Sequence, residues 1–226
     1  MKRKEFLNIV RGYTMTSVER INALYDSLEY IRENDIEGDF IECGVWRGGN
    51  ILGIMSYLDF HEMNDRIVWL YDTFEGMTPP EDVDVDIHGH KAEKILSSVM
   101  CISSLEEVKK NLSTCKFPNV KFVVGDILET LNVEKNIPKQ IALLRLDTDW
   151  YQSTKKEMDV LYPLLSEQGV LIVDDYGHWK GSKKAVDEYF ENANHFGDGI
   201  QVTRFIESGS DNYFKTSGEY TTYNGE

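Results

Sequence analysis

The sequence is poor in cysteine and in positive charge, and it contains no long apolar run. Its three cysteines show no CxxC or zinc-ligand spacing, so they indicate reduced thiols in a cytoplasmic protein rather than a disulfide framework. No stretch reaches the roughly 18 apolar residues of a membrane helix. The basic N-terminus also lacks the apolar core of a signal peptide. These absences argue against a membrane partner.

The shortage of positive charge also excludes a class of partner. The chain of 226 residues has 24 Lys and Arg against 39 Asp and Glu, a net charge of −15. Nucleic acid is a poor match, because affinity for the phosphate backbone depends on Lys and Arg contacts. A surplus of carboxylates is compatible with a site for a hard divalent cation, which prefers oxygen ligands.

Five short apolar runs indicate the fold class. They occupy residues 39–43, 66–71, 120–124, 141–146 and 169–173. Near-continuous apolar strands are typical of a parallel sheet that is covered on both faces. The sequence therefore predicts an α/β fold with helices on either side of a mostly parallel sheet.

Helical spacing appears between these runs and ahead of the first one. The predicted helices cover residues 15–33, 49–59, 104–112, 153–165 and 182–192. The length suits a single domain over residues 1–226, with an N-terminal helical segment at about 1–36. The amphipathic helix at 15–33 could pack on its own sheet or on a second copy of the chain, which leaves a homo-oligomer open.

Two segments fall outside this alternation. Residues 75–92 combine a proline pair, acids and glycines without periodicity, and we expect a mobile flap above the site. In the tail, residues 201–206 and 212–215 alternate in hydrophobicity. They are predicted to close the sheet as an antiparallel pair.

Acids and glycines follow the first two strands. The first strand ends in Glu42-Cys-Gly44 and continues to Gly48-Gly49, which allows a tight turn and close approach of a ligand to the backbone. The second strand ends at Asp72, whose carboxylate could accept two hydrogen bonds from a ribose diol. A structural alternative for Asp72 is a turn or helix-cap residue.

The strongest signal is a set of aspartates after the fourth and fifth strands. Asp147 and Asp149 follow the fourth strand, and Asp174 and Asp175 follow the fifth. If the two strands are neighbours, Asp147, Asp174 and Asp175 converge and repel one another unless protons or a cation compensate. A Mg²⁺ site fits, and Asp149 is a candidate general base. His178 ranks second as a base, and His88 and His90 are weak substrate contacts.

Several functions remain compatible with these residues alone. Asp147-Thr-Asp149 could be the DxD motif of a metal-dependent glycosyltransferase. A phosphatase with an Asp-x-Asp nucleophile normally places that motif at its first strand, whereas here it follows four strands. A third alternative is a non-catalytic module that binds a cofactor or a sugar.

Six collinear blocks together resemble the macrocin O-methyltransferase (TylF/MycF) family. The blocks begin at Gly38, Tyr71, Ser104, Gly125, Leu144 and Val173. They read GDFIECGVWRGG, YDTFEG, SLEEV, GDILETL, LRLDTDWYQST and VDDYG. The N-terminus is shorter than in the antibiotic-pathway members, and the flap matches poorly.

The resemblance implies a Rossmann-like class I methyltransferase fold with a mostly parallel, seven-stranded sheet. It implies S-adenosyl-L-methionine and Mg²⁺ as cofactors and a sugar hydroxyl of a glycosylated natural product or glycan precursor as acceptor. By motif, Asp147, Asp174 and Asp175 are the expected metal ligands and Asp149 is the expected base. The expected cofactor-binding residues are Met15, Glu42, Gly44, Asp72 and Asp126. Glu42 and Gly44 would lie at the methionine, Asp72 at the ribose and Asp126 near the adenine, with Met15 as a cover.

Overall fold

A computed structural model describes residues 1–99, 101–193, 204–207, 212–216 and 219–223. The helices of this part of the chain are α1 (Arg3–Val10), α2 (Val18–Glu33), α3 (Gly49–Phe60), α4 (Ala92–Val99), α5 (Leu105–Leu112), α6 (Ile127–Thr130), α7 (Tyr151–Val160) and α8 (Lys180–Ala193). The strands are β1 (Asp39–Cys43), β2 (Val68–Asp72), β3 (Val120–Val124), β4 (Ile141–Leu146), β5 (Leu165–Val173), β6 (Arg204–Glu207), β7 (Asn212–Thr216) and β8 (Glu219–Tyr223). Short 3₁₀ turns cover Glu134–Asn136 and Tyr162–Leu164.

The main sheet runs in the order β3-β2-β1-β4-β5-β6, and every neighbouring pair is parallel. The chain moves outward from β1 through β2 to β3, then returns to the other side of β1 and continues through β4 to β6. The strand order therefore reverses between β1 and β4. In open α/β sheets a ligand crevice forms at this switch point, outside the carboxyl ends of the strands.

Both faces of the sheet are covered, as the apolar strands require. Phe40 and Ile41 are adjacent in β1 and point to opposite faces, because side chains alternate along a strand. Phe40 packs in a core with apolar residues of α1, α2, α3 and α5. Ile41 packs in a second core with residues of α6, α7 and α8. The expected two-sided α/β architecture is confirmed.

The structure refines the predicted helices. The helix expected at 15–33 begins at Val18, because Ser17 caps it by accepting a hydrogen bond from the Arg20 amide at 3.3 Å. Its apolar residues are buried against the sheet of the same chain. Three of the described helices were not predicted: α1, which buries only Phe6 and Val10, α4, and the short α6. None of the described helices has the length and apolar character needed to cross a bilayer.

The tail prediction was wrong in its pairing. Arg204–Glu207 joins the main sheet parallel to β5, while Asn212–Thr216 pairs antiparallel with Glu219–Tyr223 in a separate sheet. Alternating hydrophobicity indicates a strand but not its partner, and β6 follows a crossover helix, which favours parallel pairing. In the described part of the chain the main sheet has six strands, one fewer than the seven expected.

Candidate functional site

A cavity of about 250 Å³ opens at the carboxyl ends of the strands, on both sides of the switch point. All nine predicted site residues line it. They are Met15, Glu42, Gly44, Asp72, Asp126, Asp147, Asp149, Asp174 and Asp175. The strand register explains their convergence, because Cys43 pairs with Leu146 and Leu146 pairs with Val173. The residues that follow these positions therefore leave the sheet at the same level.

The turn after β1 brings two strand ends into backbone contact. Gly44 has φ +80°, a left-handed conformation that costs glycine nothing. A Cβ atom at Gly44 would lie 2.0 Å from the carbonyl oxygen of Asp147. Only glycine therefore allows the turn after β1 to touch the end of β4, and this contact forms the floor of the cavity at the switch point.

Asp72 builds the turn that it faces. Its Oδ2 accepts hydrogen bonds from the amides of Val45 at 2.7 Å and Trp46 at 3.2 Å, and its Oδ1 accepts one from the Phe74 amide at 2.8 Å. These bonds hold Trp46 at φ +45°, a sparsely populated conformation for a bulky residue. Asp72 thus has the structural role that the sequence left open, and it also faces the cavity.

Asp126 likewise has a structural contact. It is the N-cap of α6, and its Oδ1 accepts a hydrogen bond from the Leu128 amide at 2.9 Å. The preceding Gly125 donates its amide hydrogen to the carbonyl of Asp72 at 2.9 Å. The ends of β2 and β3 are therefore joined, and Asp126 lies on the cavity wall beyond Asp72.

The segment before α2 passes over the mouth of the cavity. A Cβ atom at Gly49 would lie 2.7 Å from backbone atoms of Tyr13, so the first turn of α3 packs directly on this segment. Asn50 donates to the Thr16 hydroxyl at 3.3 Å and to Glu42 Oε1 at 3.1 Å. Met15 is 65% exposed at the rim, which is compatible with a cover over a ligand.

Glu42 is a buried carboxylate with one oxygen unused. Only 1% of the residue is exposed, and burial raises its pKa to about 7 despite the neighbouring Arg145. Its Oε1 takes the contact from Asn50 and one from Arg145 at 2.5 Å. Its Oε2 has no hydrogen-bond partner among the described residues. A buried acceptor of this kind needs a donor, which a ligand in the cavity can provide.

Arg145 was missed by the sequence analysis. It lies on β4 with 2% exposure, and its guanidinium bonds Glu42, Asp147 at 2.7 Å and Asp174 at 2.5 Å. A charge within the otherwise apolar run IALLRL was the available signal, since a buried charge must be paired. The expected carboxylate cluster therefore has a built-in cation behind it.

Three carboxylates meet at the ends of β4 and β5. Asp147, Asp149 and Asp175 each offer an oxygen, and these oxygens lie within 4.8 Å of one another. Asp149 reaches the group from a left-handed backbone position, φ +67°, which Asp tolerates better than most residues. Burial, with the charge of its neighbours, raises the pKa of Asp149 to about 7. It also raises the pKa values of Asp147 and Asp175.

Asp174 lies beside this group rather than in it. Its Oδ1 pairs with Arg145, and its Oδ2 pairs with Arg20 of α2 at 2.7 Å. Asp147 and Asp175 thus belong both to the expected metal set and to the observed cluster, whereas Asp149 takes the place expected for Asp174. Asp175 Oδ2 is buried without a hydrogen-bond partner among the described residues, which leaves it available to a cation.

The three histidines that were considered lie away from the cavity wall. His178 is exposed and its ring contacts Trp179. His88 and His90 lie in the flap, where the His88 and His90 amides and the His90 ring bond Asp86. The structure therefore gives none of the three a position from which to take a proton in the cavity.

The flap is attached to the rest of the fold at several points. Trp150 donates its indole hydrogen to the carbonyl of Thr78 at 2.8 Å. Asp84 is fully buried and accepts a hydrogen bond from the Tyr151 amide at 2.8 Å, so it caps α7 from outside that helix. Asp86 forms an isolated bridge with Trp179. Gly76, Met77 and Thr78 are the flap residues on the cavity wall.

One further acid lies behind the wall. Glu157 of α7 is fully buried and accepts a hydrogen bond from the Thr148 hydroxyl at 3.0 Å. Burial raises its pKa well above the usual range for glutamate. Thr148 lies between Asp147 and Asp149, so this bond supports the turn that carries both aspartates. Nothing in the sequence pattern distinguished Glu157 from an exposed helix residue.

The fold and the site together define a class of protein. A parallel sheet with a switch point, a glycine turn after β1 and acids after β2 and β3 form a Rossmann-like nucleotide-binding crevice. A carboxylate cluster shares that crevice at the ends of β4 and β5. This combination is the Rossmann-like methyltransferase architecture that the family resemblance implied.

Comparison with known proteins identifies the family. The sequence model of the macrocin-O-methyltransferase (TylF) family matches residues 8–202. The chain is 34% identical over 188 residues to demethyldecarbamoylnovobiocin O-methyltransferase of Streptomyces niveus, covering 79% of this chain and 68% of that protein. It is 35% identical over 171 residues to 8-demethyl-8-(2,3-dimethoxy-alpha-L-rhamnosyl)-tetracenomycin-C 4'-O-methyltransferase of Streptomyces olivaceus, covering 73% and 63%.

A solved structure agrees with the sequence relatives. The O-methyltransferase NovP superimposes with a TM-score of 0.71 at 29% identity, covering 93% of this chain and 81% of that one. The chain therefore belongs to the macrocin-O-methyltransferase (TylF) family and is an S-adenosylmethionine-dependent O-methyltransferase. This membership decides among the functions that the residues alone left open, against a glycosyltransferase, a phosphatase or a silent binding module.

Proposed function

We propose that this enzyme uses a divalent metal, Mg²⁺, and transfers the methyl group to a sugar hydroxyl of a glycosylated natural product or glycan precursor. The observation that carries the proposal is one cavity with two different acceptor sets, the unpartnered Glu42 oxygen and the carboxylate cluster of Asp147, Asp149 and Asp175. The names of the two relatives support the acceptor class, since one of them specifies a rhamnosyl compound as substrate.

The cofactor half of the cavity fits an amino-acid and nucleoside ligand. Glu42 Oε2 is a buried acceptor that suits the ammonium group of a methionine. Asp72 accepts three backbone hydrogen bonds, and a carboxylate has about four lone-pair sites, so one remains for a ribose hydroxyl. Gly44 has no side chain and leaves room for the cofactor to approach the backbone. Asp126 lines the end of the cavity assigned to the adenine, and Met15 covers its mouth. Bound S-adenosylmethionine supplies an electrophilic methyl group.

The cluster fits a hard cation by its chemistry. Asp147 and Asp175 offer carboxylate oxygens close together, and Asp175 Oδ2 is buried without a described partner. We assign Asp174 as the third ligand from the family motif, which requires it to give up a contact with Arg20 or Arg145. Mg²⁺ held by these residues supplies a Lewis acid that stabilises negative charge on an acceptor oxygen.

The residues of the chain then have separate tasks in methyl transfer. The cavity walls must hold the acceptor oxygen about 3 Å from the methyl carbon, in line with the bond that breaks. Asp149 is positioned to take the hydroxyl proton, because its carboxylate adjoins the cluster and faces the cavity. Its left-handed backbone directs that carboxylate toward Asp175 rather than along the strand.

The base assignment is tested with Asp149→Asn. We expect turnover to fall by about 10²- to 10⁴-fold, because general-base catalysis is worth this much, while S-adenosylhomocysteine still binds in calorimetry. Methyl transfer is followed by mass spectrometry over a panel of glycosides and nucleotide sugars with Mg²⁺. The control is Asp159→Asn, an exposed change on α7 that should leave both measurements unchanged. Near-normal turnover of Asp149→Asn would contradict the assignment.

The metal is tested separately. EDTA should abolish methyl transfer and Mg²⁺ should restore it; activity that survives EDTA would remove the metal from the proposal. The third ligand is decided by Mn²⁺ titration of Asp174→Asn and Asp149→Asn. We expect the larger loss of Mn²⁺ affinity in Asp174→Asn. The reverse order would assign the third ligand position to Asp149, in agreement with the cluster in the structure.

A further inference from the structure

One buried side chain joins three neighbouring strands at the floor of the cavity. Arg145 of β4 bonds Glu42 of β1 and Asp147 at the end of β4 through Nη1, and Asp174 at the end of β5 through Nη2. These contacts are 2.5, 2.7 and 2.5 Å long, within the range of charge-assisted hydrogen bonds. The guanidinium thus contacts acids of both halves of the cavity at once.

The hydrogen bonds to Glu42 determine which of its two carboxylate oxygens is available to a ligand. Its Oε1 is held by Arg145 and Asn50, which leaves Oε2 as the oxygen without a described partner. The same guanidinium nitrogen, Nη1, also holds Asp147 Oδ2. A shift of either acid therefore moves the donor that the other acid uses. A planar fork of donors can serve three acids in fixed directions, whereas the single ammonium of lysine cannot.

We propose that Arg145 is a positioning residue that couples the cofactor half of the cavity to the metal and acceptor half, by holding Glu42 and Asp147 with one guanidinium. The inference rests on the proposed function, since it takes Glu42 as a cofactor contact and Asp147 as a metal ligand. Arg145 itself lies behind the wall with 2% exposure and does not line the cavity. Its effect on ligands passes through the two acids.

The first test uses Arg145→Lys, which keeps the charge and loses the fork. Binding of S-adenosylhomocysteine is measured by calorimetry in metal-free buffer, and binding of Mn²⁺ is measured without cofactor. We expect the affinity for each ligand to fall about tenfold or more, since hydrogen bonds to charged groups are worth this much. S-adenosylhomocysteine, unlike S-adenosylmethionine, carries no sulfonium charge. A fall in its affinity therefore does not reflect a weaker electrostatic interaction with a sulfonium group.

A second buried arginine provides the matched control. Arg66 is 8% exposed, and it bonds the carbonyl of Gly38 at 2.9 Å, at the opposite end of the sheet. Arg66→Lys should leave the affinities for S-adenosylhomocysteine and Mn²⁺ unchanged. It also measures how much an Arg→Lys substitution destabilises the protein at a buried position. If Arg145→Lys binds both ligands as the wild type does, the positioning role is overturned.

Coupling is tested by a double-mutant cycle in metal-free buffer. Asp147→Asn should weaken S-adenosylhomocysteine binding about threefold or more in the wild type and have no effect in Arg145→Lys, because the coupling passes through Arg145. Additive effects would overturn the inference while leaving the proposed function intact. If the wild type does not bind S-adenosylhomocysteine at all, the proposed function fails and the coupling fails with it.

If Arg145→Lys does not fold, a different pair of variants decides. Glu42→Gln and Asp72→Asn each remove one carboxylate from the cavity wall, but only Glu42 contacts Arg145. We expect Glu42→Gln to reduce Mn²⁺ affinity at least about threefold more than Asp72→Asn does. Equal losses would mean that the two halves interact only through general charge, which overturns the role of Arg145.

Discussion

The two sides of the cavity use the same residue type in opposite ways. On the β2–β3 side, formed by Asp72 and Asp126, the carboxylates accept hydrogen bonds from backbone amides. On the β4–β5 side, formed by Asp147, Asp149 and Asp175, the carboxylates contact other side chains and one another. Burial raises the pKa values of all three acids on this second side.

This difference shows what an acid at a strand end can do. Where backbone donors are at hand, the acid builds the turn, and only its remaining acceptor sites are open to a ligand. Where the neighbours of the acid are other acids instead of backbone donors, the carboxylates hold protons or a cation, because like charges at short range are otherwise unfavourable. The sequence places an aspartate at each of these strand ends. Only the local backbone structure distinguishes an aspartate that builds a turn from one that is a candidate metal ligand.

The largest expected effect comes from the glycine at which the two sides meet. Gly44→Ala introduces a Cβ atom 2.0 Å from the carbonyl oxygen of Asp147, and it also forces alanine into φ +80°. We expect the free energy of unfolding to fall by about 3 kcal/mol or more, since overpacking and backbone strain add. Urea denaturation followed by circular dichroism measures this loss.

Gly89→Ala separates strain from overpacking. Gly89 has a similar φ of +88°, but a Cβ atom there meets no atom within 4 Å. We therefore expect a loss of about 1 kcal/mol from the backbone alone. Equal losses in Gly44→Ala and Gly89→Ala would show that the two sides of the cavity are not locked together at the switch point.

The next effect is a pH dependence behind the β4–β5 side. Burial raises the pKa of Glu157 in the folded protein, so the folded state binds more protons than the unfolded state above about pH 4.5. Glu157 therefore contributes stability that is fully present below its unfolded pKa and is lost as the pH rises toward its folded pKa. The slope for one such group is about −1.4 kcal/mol per pH unit.

Glu157→Gln should remove this slope while its amide oxygen still accepts the Thr148 hydroxyl hydrogen. Between pH 5 and pH 7 the free energy of unfolding of the wild type should fall by up to about 2.7 kcal/mol relative to the variant. Urea denaturation at several pH values gives both curves. Parallel curves would mean that Glu157 is ionised in the folded state.

The smallest expected effect compares one acid from each side. Asp72→Asn leaves a backbone amide facing an NH₂ group, which should cost about 1–2 kcal/mol of unfolding free energy. Asp149→Asn in metal-free protein at pH 8, above the pKa of about 7, removes a half-buried charge that lies close to other acids, and it should cost nothing or stabilise. Denaturation in EDTA measures both variants, and equal losses would remove the distinction between the two sides.

Much of the fold was predictable because its strands are apolar and its helices are amphipathic. The five central strands, their parallel arrangement and the convergence of nine site residues followed from periodicity and from the family resemblance. The pairing partners of β6, β7 and β8 were not predictable, since an alternating segment does not specify its partner. Helix α1 was also missed, because it buries only two apolar residues.

The site was less predictable than the fold, for a reason that Arg145 illustrates. Its position in an apolar run signals a buried charge but not which acids it pairs with, because those acids come from other strands. Asp174 shows the same limit, as its partner Arg20 is distant in the sequence. A metal set inferred from strand-end aspartates alone therefore overlooks the cations that the fold already provides.

The flap is anchored to the fold next to its cavity-lining residues and is exposed further along the chain. Trp150 and Asp84 fix the flap to the start of α7 through Thr78 and Tyr151, immediately after Asp149. Beyond the bridge at Asp86, residues 87–90 are exposed and do not line the cavity. We therefore expect acceptor range to change through substitutions at residues 76–78, which line the cavity, whereas residues 87–90 can vary without altering its shape.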